Sequence, residues 1–283
     1  MKTKLKLPDE LRKYGILALS IIIASIIVGL SVYTTGNAIV KAIGQATICL
    51  GESNQNFMAE LRTFKFPEVE EYDPKYGNNA NIYLFEYTDY QCPFCARHTL
   101  YTFPQIKQNY IDQGKLVYVY KDLTLTIIHP YANVAAKYAN CVYKIYGLST
   151  YTEFKKWLFS NQRNWTNDNY KEIFHQKLKE LGVDVGQIES CVASKEVEND
   201  IQGDLAEAQQ YRMSGTPSFL IAIKTDKVTK HEFNDLKMAL EDLADYGLRY
   251  KIGKTEDNQY IIVIFSGALP YEFFEDILKI GTN

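Results

Sequence analysis

The strongest constraint on this 283-residue chain is a pair of cysteines three positions apart, within Asp89-Tyr-Gln-Cys-Pro-Phe-Cys-Ala-Arg-His98. The apolar run from Ile82 to Tyr87 upstream reads as a buried strand, and the segment after Cys92 lacks glycine and carries the helix formers Ala96 and Arg97. Cys92 therefore falls at a helix N-cap and Pro93 at the first helical position, where a missing N–H costs nothing and the fixed φ suits a helix. A sulfur placed there sits over unpaired N–H groups and the positive end of the helix dipole, so its thiolate is stabilised. Cys95, one turn on, is near enough to be bridged and is expected to be the more buried partner. The two read as a redox-active pair. Half of a zinc site has the same spacing, but the chain has no second Cys-x-x-Cys and no pair at ligand spacing among His98, His129, His175 and His231. No metal or other cofactor is expected.

Five cysteines cannot all pair with one another. The economical assignment is one redox disulfide, one structural disulfide between Cys141 and Cys191, and Cys49 left over; two unrelated buried thiols at 141 and 191 are the alternative. A structural disulfide implies an oxidising compartment. Net charge is −3. Lys2, Lys4, Lys6, Arg12 and Lys13 against Asp9 and Glu10 give the first thirteen residues +3 and leave −6 for the remainder, which offers no footprint for nucleic acid.

From Ile16 to Tyr33 eighteen residues pass without a charge. At about 1.5 Å per residue they make roughly 27 Å of helix, close to the hydrocarbon thickness of a bilayer. Residues 15–36 are therefore expected to be an uncleaved signal-anchor helix, with a cleaved signal peptide ending near Gly36-Asn37-Ala38 as the competitor. Basic residues cluster before it, so residues 1–14 are expected in the cytoplasm and the remainder outside. Residues 37–80 read as a tether, ending in Pro67, the acidic Glu68-Val-Glu-Glu71, Asp73-Pro74 and Gly77-Asn-Asn79. The folded domain is expected over 81–283.

Within that domain the pattern is strand 82–87, helix 91 to about 110 with a bend near Pro104, and strand 115–121, a parallel βαβ unit. Almost a hundred residues of helical pattern follow, with segments 130–146, 150–162, 167–181, 185–194 and 196–213 separated by Gly147, Asn164 and Gly182. They read as an inserted helical subdomain over about 129–213. Strand 218–223 is announced by Gly215-Thr-Pro217, and strand 259–265 comes after a polar stretch, 224–258. That stretch carries one amphipathic helix with Phe233, Leu236, Leu240 and Leu243 at helical spacing. A helix over 271–280 closes the chain. Proline at the start of a strand cannot donate to the ladder, so Thr216-Pro217 suits a place where an incoming extended peptide pairs with the backbone.

Asp89-Tyr-Gln-Cys-Pro-Phe-Cys95, the Gly215-Thr-Pro217 loop and the helical insertion between them together resemble the DsbA-like branch of the thioredoxin superfamily, the thiol:disulfide oxidoreductases of the cell envelope. The resemblance covers roughly residues 80–283. It implies an α/β thioredoxin fold with the insertion as a cap between the second and third core strands, and a cis Thr216–Pro217 bond facing the active disulfide. It also implies Cys92 as nucleophile, Cys95 as resolving thiol, and a client-binding surface of Pro93, Phe94, Thr216 and Pro217. Clients would be extended, unfolded proteins with free cysteines, and re-oxidation would come from a quinone-linked membrane oxidase of the DsbB or vitamin-K-epoxide-reductase type. Phe94 stands where many oxidases of this family carry His.

Glu86 shares a strand face with Ile82 and Leu84 while Tyr83, Phe85 and Tyr87 fill the other, so a buried carboxyl with a raised pKa is expected, able to pass a proton to Cys95. The family keeps a buried acid at a similar place. A Glu86 that reaches solvent at the strand end is the alternative. His98 reads as a partly exposed helix residue near the thiols. The expected activity is thiol:disulfide oxidation of extracytoplasmic proteins, with a reductase or isomerase on the same fold as one alternative and a metal- or peptide-binding module as another.

Overall fold

The computed structural model describes Met58 and residues 60–282 except 246 and 247. The expected cytoplasmic tail, the anchor at 15–36 and Cys49 lie outside the described residues, as does the side chain of Leu243. Among the described residues no helix is long and apolar enough to cross a membrane.

The described elements, in order, begin with strands β1 (Arg62–Phe64), β2 (Lys75–Tyr76) and β3 (Ile82–Thr88) and a helix α1 over residues 93–111. β4 (Leu116–Asp122) leads to the helices α2 (Ala132–Ser160), α3 (Gln162–Trp165), α4 (Tyr170–Glu180), α5 (Val185–Val192) and α6 (Lys195–Gln210). Then come β5 (Ser218–Lys224), α7 (Lys230–Asp245), β6 (Tyr250–Thr255), β7 (Tyr260–Ser266) and α8 (Tyr271–Leu278). The strands form one sheet in the order β1-β6-β7-β5-β3-β4-β2. β3 and β4 pair in parallel across α1, as the βαβ reading expects, and β5 runs antiparallel to β3.

Central strands are apolar on both faces because both are covered. Ile82, Leu84, Tyr118, Phe219 and Val263 face a core shared with α1, the inserted helices, α7 and α8. Phe85, Val117, Val119, Leu220 and Ile262 face a second core, closed by Ala208, Tyr211 and the aromatic rings of Phe64 and Phe66. α1 alternates α-helical turns (Pro93–Arg97, Phe103–Ile106) with π-helical turns (His98–Thr102, Lys107–Ile111). Pro104 has no N–H to give to the preceding turn, and a looser turn on either side accommodates the loss. The bend expected at Pro104 is thus a pair of π turns.

Three features differ from the sequence reading. The stretch assigned to a tether is part of the domain from at least β1 onward, and the domain does not begin at residue 81. β1 pairs with β6, β2 pairs with β4, and Asp73 is buried in an ion pair 2.7 Å from Lys121. The polar stretch before β7 contains a strand, β6, as well as the helix. Its alternation is broken by Lys251, Lys254 and Gly253; a Cβ on Gly253 would lie 2.4 Å from both the Arg62 carbonyl and the Phe64 ring, so only glycine admits β1 there. The helices expected at 130–146 and 150–162 form one element, broken at Gly147 by φ 78°, ψ −176°, which glycine alone tolerates.

Cys141 in α2 and Cys191 in α5 are joined in a disulfide with their Cα atoms 5.9 Å apart. The bridge closes a loop of 50 residues of the insertion. Restricting that loop in the unfolded chain contributes about 4 kcal/mol. The Cys141→Ala/Cys191→Ala variant is expected to lose roughly that much stability in urea unfolding, and a loss below about 1 kcal/mol would show that packing alone holds α2 to α5.

Candidate active site

β3 ends at Thr88, and the buried Asp89 makes the turn that follows. Cys92 N donates to the Asp89 carbonyl at 3.0 Å and Gln91 N to Asp89 Oδ1 at 2.8 Å. The other oxygen, Oδ2, accepts from Leu125 N and from His129 Nδ1, each at 2.9 Å. One carboxylate therefore fastens the cysteine turn to the loop after β4, where Ile127 and Ile128 are exposed. The insertion grips the same turn. Gln162 Nε2 donates to the carbonyls of Tyr90 and Cys92 at 2.9 Å, Tyr131 N donates to Gln91 Oε1 at 2.9 Å, and the Tyr90 and Tyr151 hydroxyls meet at 2.9 Å.

Cys92 caps α1 in extended conformation with Pro93 following, where the sequence places them. Both thiols are free. The Thr216–Pro217 bond is cis, and its loop lies against the nucleophile: Cys92 Sγ donates to the Thr216 carbonyl at 3.4 Å. The Cys95 thiol first, then Thr216 and the N–H groups of Cys95 and Phe94, stabilise the Cys92 thiolate. Against the opposing effect of burial, they bring its pKa down to about 6. Cys95 is fully buried, and burial first, then the neighbouring Cys92, raises its thiol well above the usual value. Pro93 is exposed and Phe94 is 55% exposed. The Arg97 guanidinium sits 5.4 Å over the Phe94 ring while donating to the Ala268 carbonyl at 2.8 Å.

Beneath the thiols Glu86 is fully buried and does not reach solvent. Tyr118 Oη donates to Oε2 at 2.5 Å and Thr88 Oγ1 to Oε1 at 3.0 Å. Burial pushes its carboxyl up to about 7, with the two hydroxyls and the Lys155 amine opposing. The Thr88 hydroxyl also contacts Cys95, so it bridges the carboxyl and the thiol. His98 is not the partly exposed residue read from the sequence. Its ring is fully buried, 4.7 Å from Phe219 and 5.2 Å from Phe274. Burial drives its pKa down to about 3, so it is neutral. With the Tyr118 proton directed at Glu86, His98 Nε2 donates to the Tyr118 oxygen at 3.0 Å.

Sequence reasoning missed Lys155, Asp89 and Gln162. Lys155 is buried, its amine has no hydrogen-bond partner among the described residues, and it lies 3.9 Å from the Tyr120 ring centre and 4.0 Å from that of Phe103, with Tyr76 and Tyr151 farther out. Burial lowers its pKa well below the usual value, and the Glu86 charge opposes that. A signal was present: Lys155 stands four residues after Tyr151 and three before Leu158, on the apolar stripe of α2. Gln162 had none, because its partners are some seventy residues away.

The model of the thioredoxin family matches residues 70–242. A probable disulfide bond formation protein D of Bacillus cereus is 24% identical over 169 residues, 58% of this chain and 74% of that protein. A putative protein-disulfide oxidoreductase of Rickettsia bellii is 25% identical over 194 residues, 64% of this chain and 69% of that protein. Among solved structures, alpha-DsbA1 of Wolbachia pipientis shares the fold with a TM-score of 0.56 at 20% identity, over 77% of this chain and 93% of its own. With a Cys-x-x-Cys helix terminus facing a cis-proline loop and a helical insertion over them, the chain belongs to the thioredoxin family, as a thiol:disulfide oxidoreductase of DsbA-like build.

Proposed function

We propose that the protein works in the oxidising direction, introducing disulfides into proteins outside the cytoplasm. The observation that carries this reading is the contrast between a Cys92 thiolate stabilised at a helix start and a Cys95 thiol held protonated by burial. Ionisation of Cys92 favours the reduced form of the pair, which makes the disulfide the stronger oxidant. At pH 7 a thiol of pKa about 6 in place of about 9 favours reduction by about 1.4 kcal/mol, or about 30 mV.

A client thiolate attacks Cys92 Sγ of the oxidised pair, the Cys92–Cys95 bond breaks, and Cys95 leaves with the electron pair. Glu86, through the Thr88 hydroxyl, supplies the proton that the buried Cys95 sulfur requires. A second client thiolate then attacks the client sulfur of the mixed disulfide. Cys92 leaves as thiolate, so the client has lost two electrons and the enzyme has gained them. Thr216 and Pro217 offer backbone to the extended client, and Pro93, Phe94 and the exposed Ile127 and Ile128 offer apolar contact. The apolar stretch at 15–36 supports a membrane anchor with the catalytic domain outside, and the Cys141–Cys191 bridge supports an oxidising compartment. Re-oxidation then falls to a membrane oxidase of the quinone-linked kind.

Two measurements test this reading. Equilibrated against glutathione, the Cys92/Cys95 couple is expected to lie above the roughly −270 mV of thioredoxin. Its potential should fall by about 59 mV per pH unit below pH 6 and by about 30 mV per unit above, because one thiol of the two ceases to bind its proton. A potential at or below that of thioredoxin would assign the protein to the reductases. The second concerns the buried acid. Lys155→Met removes the amine that favours ionised Glu86, so the Glu86 carboxyl should titrate above 7 by infrared difference spectroscopy. The pH profile of client oxidation should move alkaline with it, whereas Glu86→Gln should slow oxidation about a hundredfold. A profile unchanged in both variants excludes Glu86 as the proton donor.

A further inference from the structure

The exchange chemistry makes no use of the segment between β5 and β7, which carries α7 and β6. Tyr250 at the start of β6 pairs with Phe265 near the end of β7, and Ser266 of β7 pairs with Ser218 of β5. Ser218 in turn pairs with Tyr87 near the end of β3. The Cys92 turn, the cis loop and the start of β6 therefore stand on one edge of the sheet. A cavity of about 490 Å³ opens there, lined by Arg212, Ser214, Arg249, Tyr250, Lys251 and Ser266 among others, with three cationic side chains and, among the described residues, no carboxylate. It adjoins the cis loop, because Ser214 precedes Thr216 by two residues and Ser266 Oγ lies 2.6 Å from Ser218 Oγ.

The three cations are not equivalent. Lys251 Nζ donates to the carbonyls of Tyr211 and Arg212 at 2.5 and 3.5 Å, which ties it to the C-terminal end of α6. Arg212 and Arg249 are exposed, and among the described residues neither forms an ion pair or a side-chain hydrogen bond. Among the described residues their charge has no internal counterpart. Arg212 also holds φ 52°, a left-handed position at a helix end where glycine is the ordinary choice.

We propose that this cavity is a subsite for acidic side chains of the client, which rests on the exchange reading above. Neighbouring strands lie about 4.8 Å apart, so the end of β7 is roughly 10 Å from the end of β3, about three residues of extended peptide. A client whose cysteine engages Cys92 and whose backbone crosses the cis loop toward β7 thus brings an Asp or Glu about three residues from that cysteine over Arg212 and Arg249. Complementary charge at such a rim acts mainly on association and on the choice of partner.

The test uses the oxidised full chain and stopped-flow reduction by synthetic cysteine peptides that carry Glu or Gln three residues from the cysteine, on either side. One Glu peptide is expected to react about tenfold faster than its Gln counterpart at low ionic strength, with the advantage largely lost in about 0.5 M salt. Arg212→Gly combined with Arg249→Gln should remove the difference between the two peptides, and glycine suits the backbone at 212. Equal rates with the unmodified chain, or an equal advantage from a Glu placed eight residues away, would overturn the subsite while leaving the exchange reading standing. If no peptide reduces the protein, both fall together.

Discussion

Cys95 and Glu86 are both fully buried at the foot of one turn, and the cost of charging either group away from water orders what surrounds them. Neither can ionise alone without a donor. Thr88 and Tyr118 are placed to give Glu86 two hydrogen bonds, and His98 supports Tyr118 from behind in its neutral form. Cys92, one helical turn earlier, meets the Cys95 thiol and N–H groups instead. Two sulfurs three residues apart in the same motif are thus driven in opposite directions. That separation turns a symmetrical pair of thiols into a nucleophile and a leaving group.

The inserted helices take part in this arrangement. Gln162 holds two carbonyls of the cysteine turn, Tyr131 N holds Gln91, and Tyr151 meets Tyr90. Lys155 reaches from the same helix into an aromatic box of β2, α1 and β4 rings and acts on Glu86 through space. A shift of α2 against the sheet would therefore alter both the N-cap geometry of Cys92 and the charge on Glu86. The Cys141–Cys191 bridge, by holding α2 to α5, protects the site as well as the insertion.

What could be read from the sequence followed the strength of the local signal. β3, β4, β5 and β7 are apolar on both faces and stand out in any window, and the helical insertion was segmented by Gly147 and Gly182 because those residues break helices for backbone reasons. Cys92, Cys95, Thr216 and Pro217 could be named from motif alone, and Glu86 from a carboxylate on a strand with two buried faces. The remainder was hidden for physical causes. β1 and β2 are three and two residues long, too short to show a period. β6 is interrupted by Gly253, whose reason is the close approach of Arg62 and Phe64 from the far end of the chain. The burial of His98 has no local signal, because it depends on Phe219 and Phe274, over a hundred residues away.

Charge is segregated along α6. Its middle turns carry Asp204 and Glu207, which with Asp73 surround Lys121; against burial, Asp204 first and then Asp73 and Glu207 hold that ammonium well above its usual pKa. Asp200 is pushed up to about 8 by burial and by the neighbouring Asp73 and Asp122. The acidic turns of the helix thereby settle their own charge, and their carboxylates are already committed to a buried cation. At the C-terminal end Lys251 meets the last carbonyls, yet among the described residues Arg212 and Arg249 remain without carboxylates beside the cis loop. Charge neutralised within the fold holds elements together, as Lys121 holds α6 and the 68–74 segment to β4. Charge left unneutralised at the rim of a site is available to whatever the site receives.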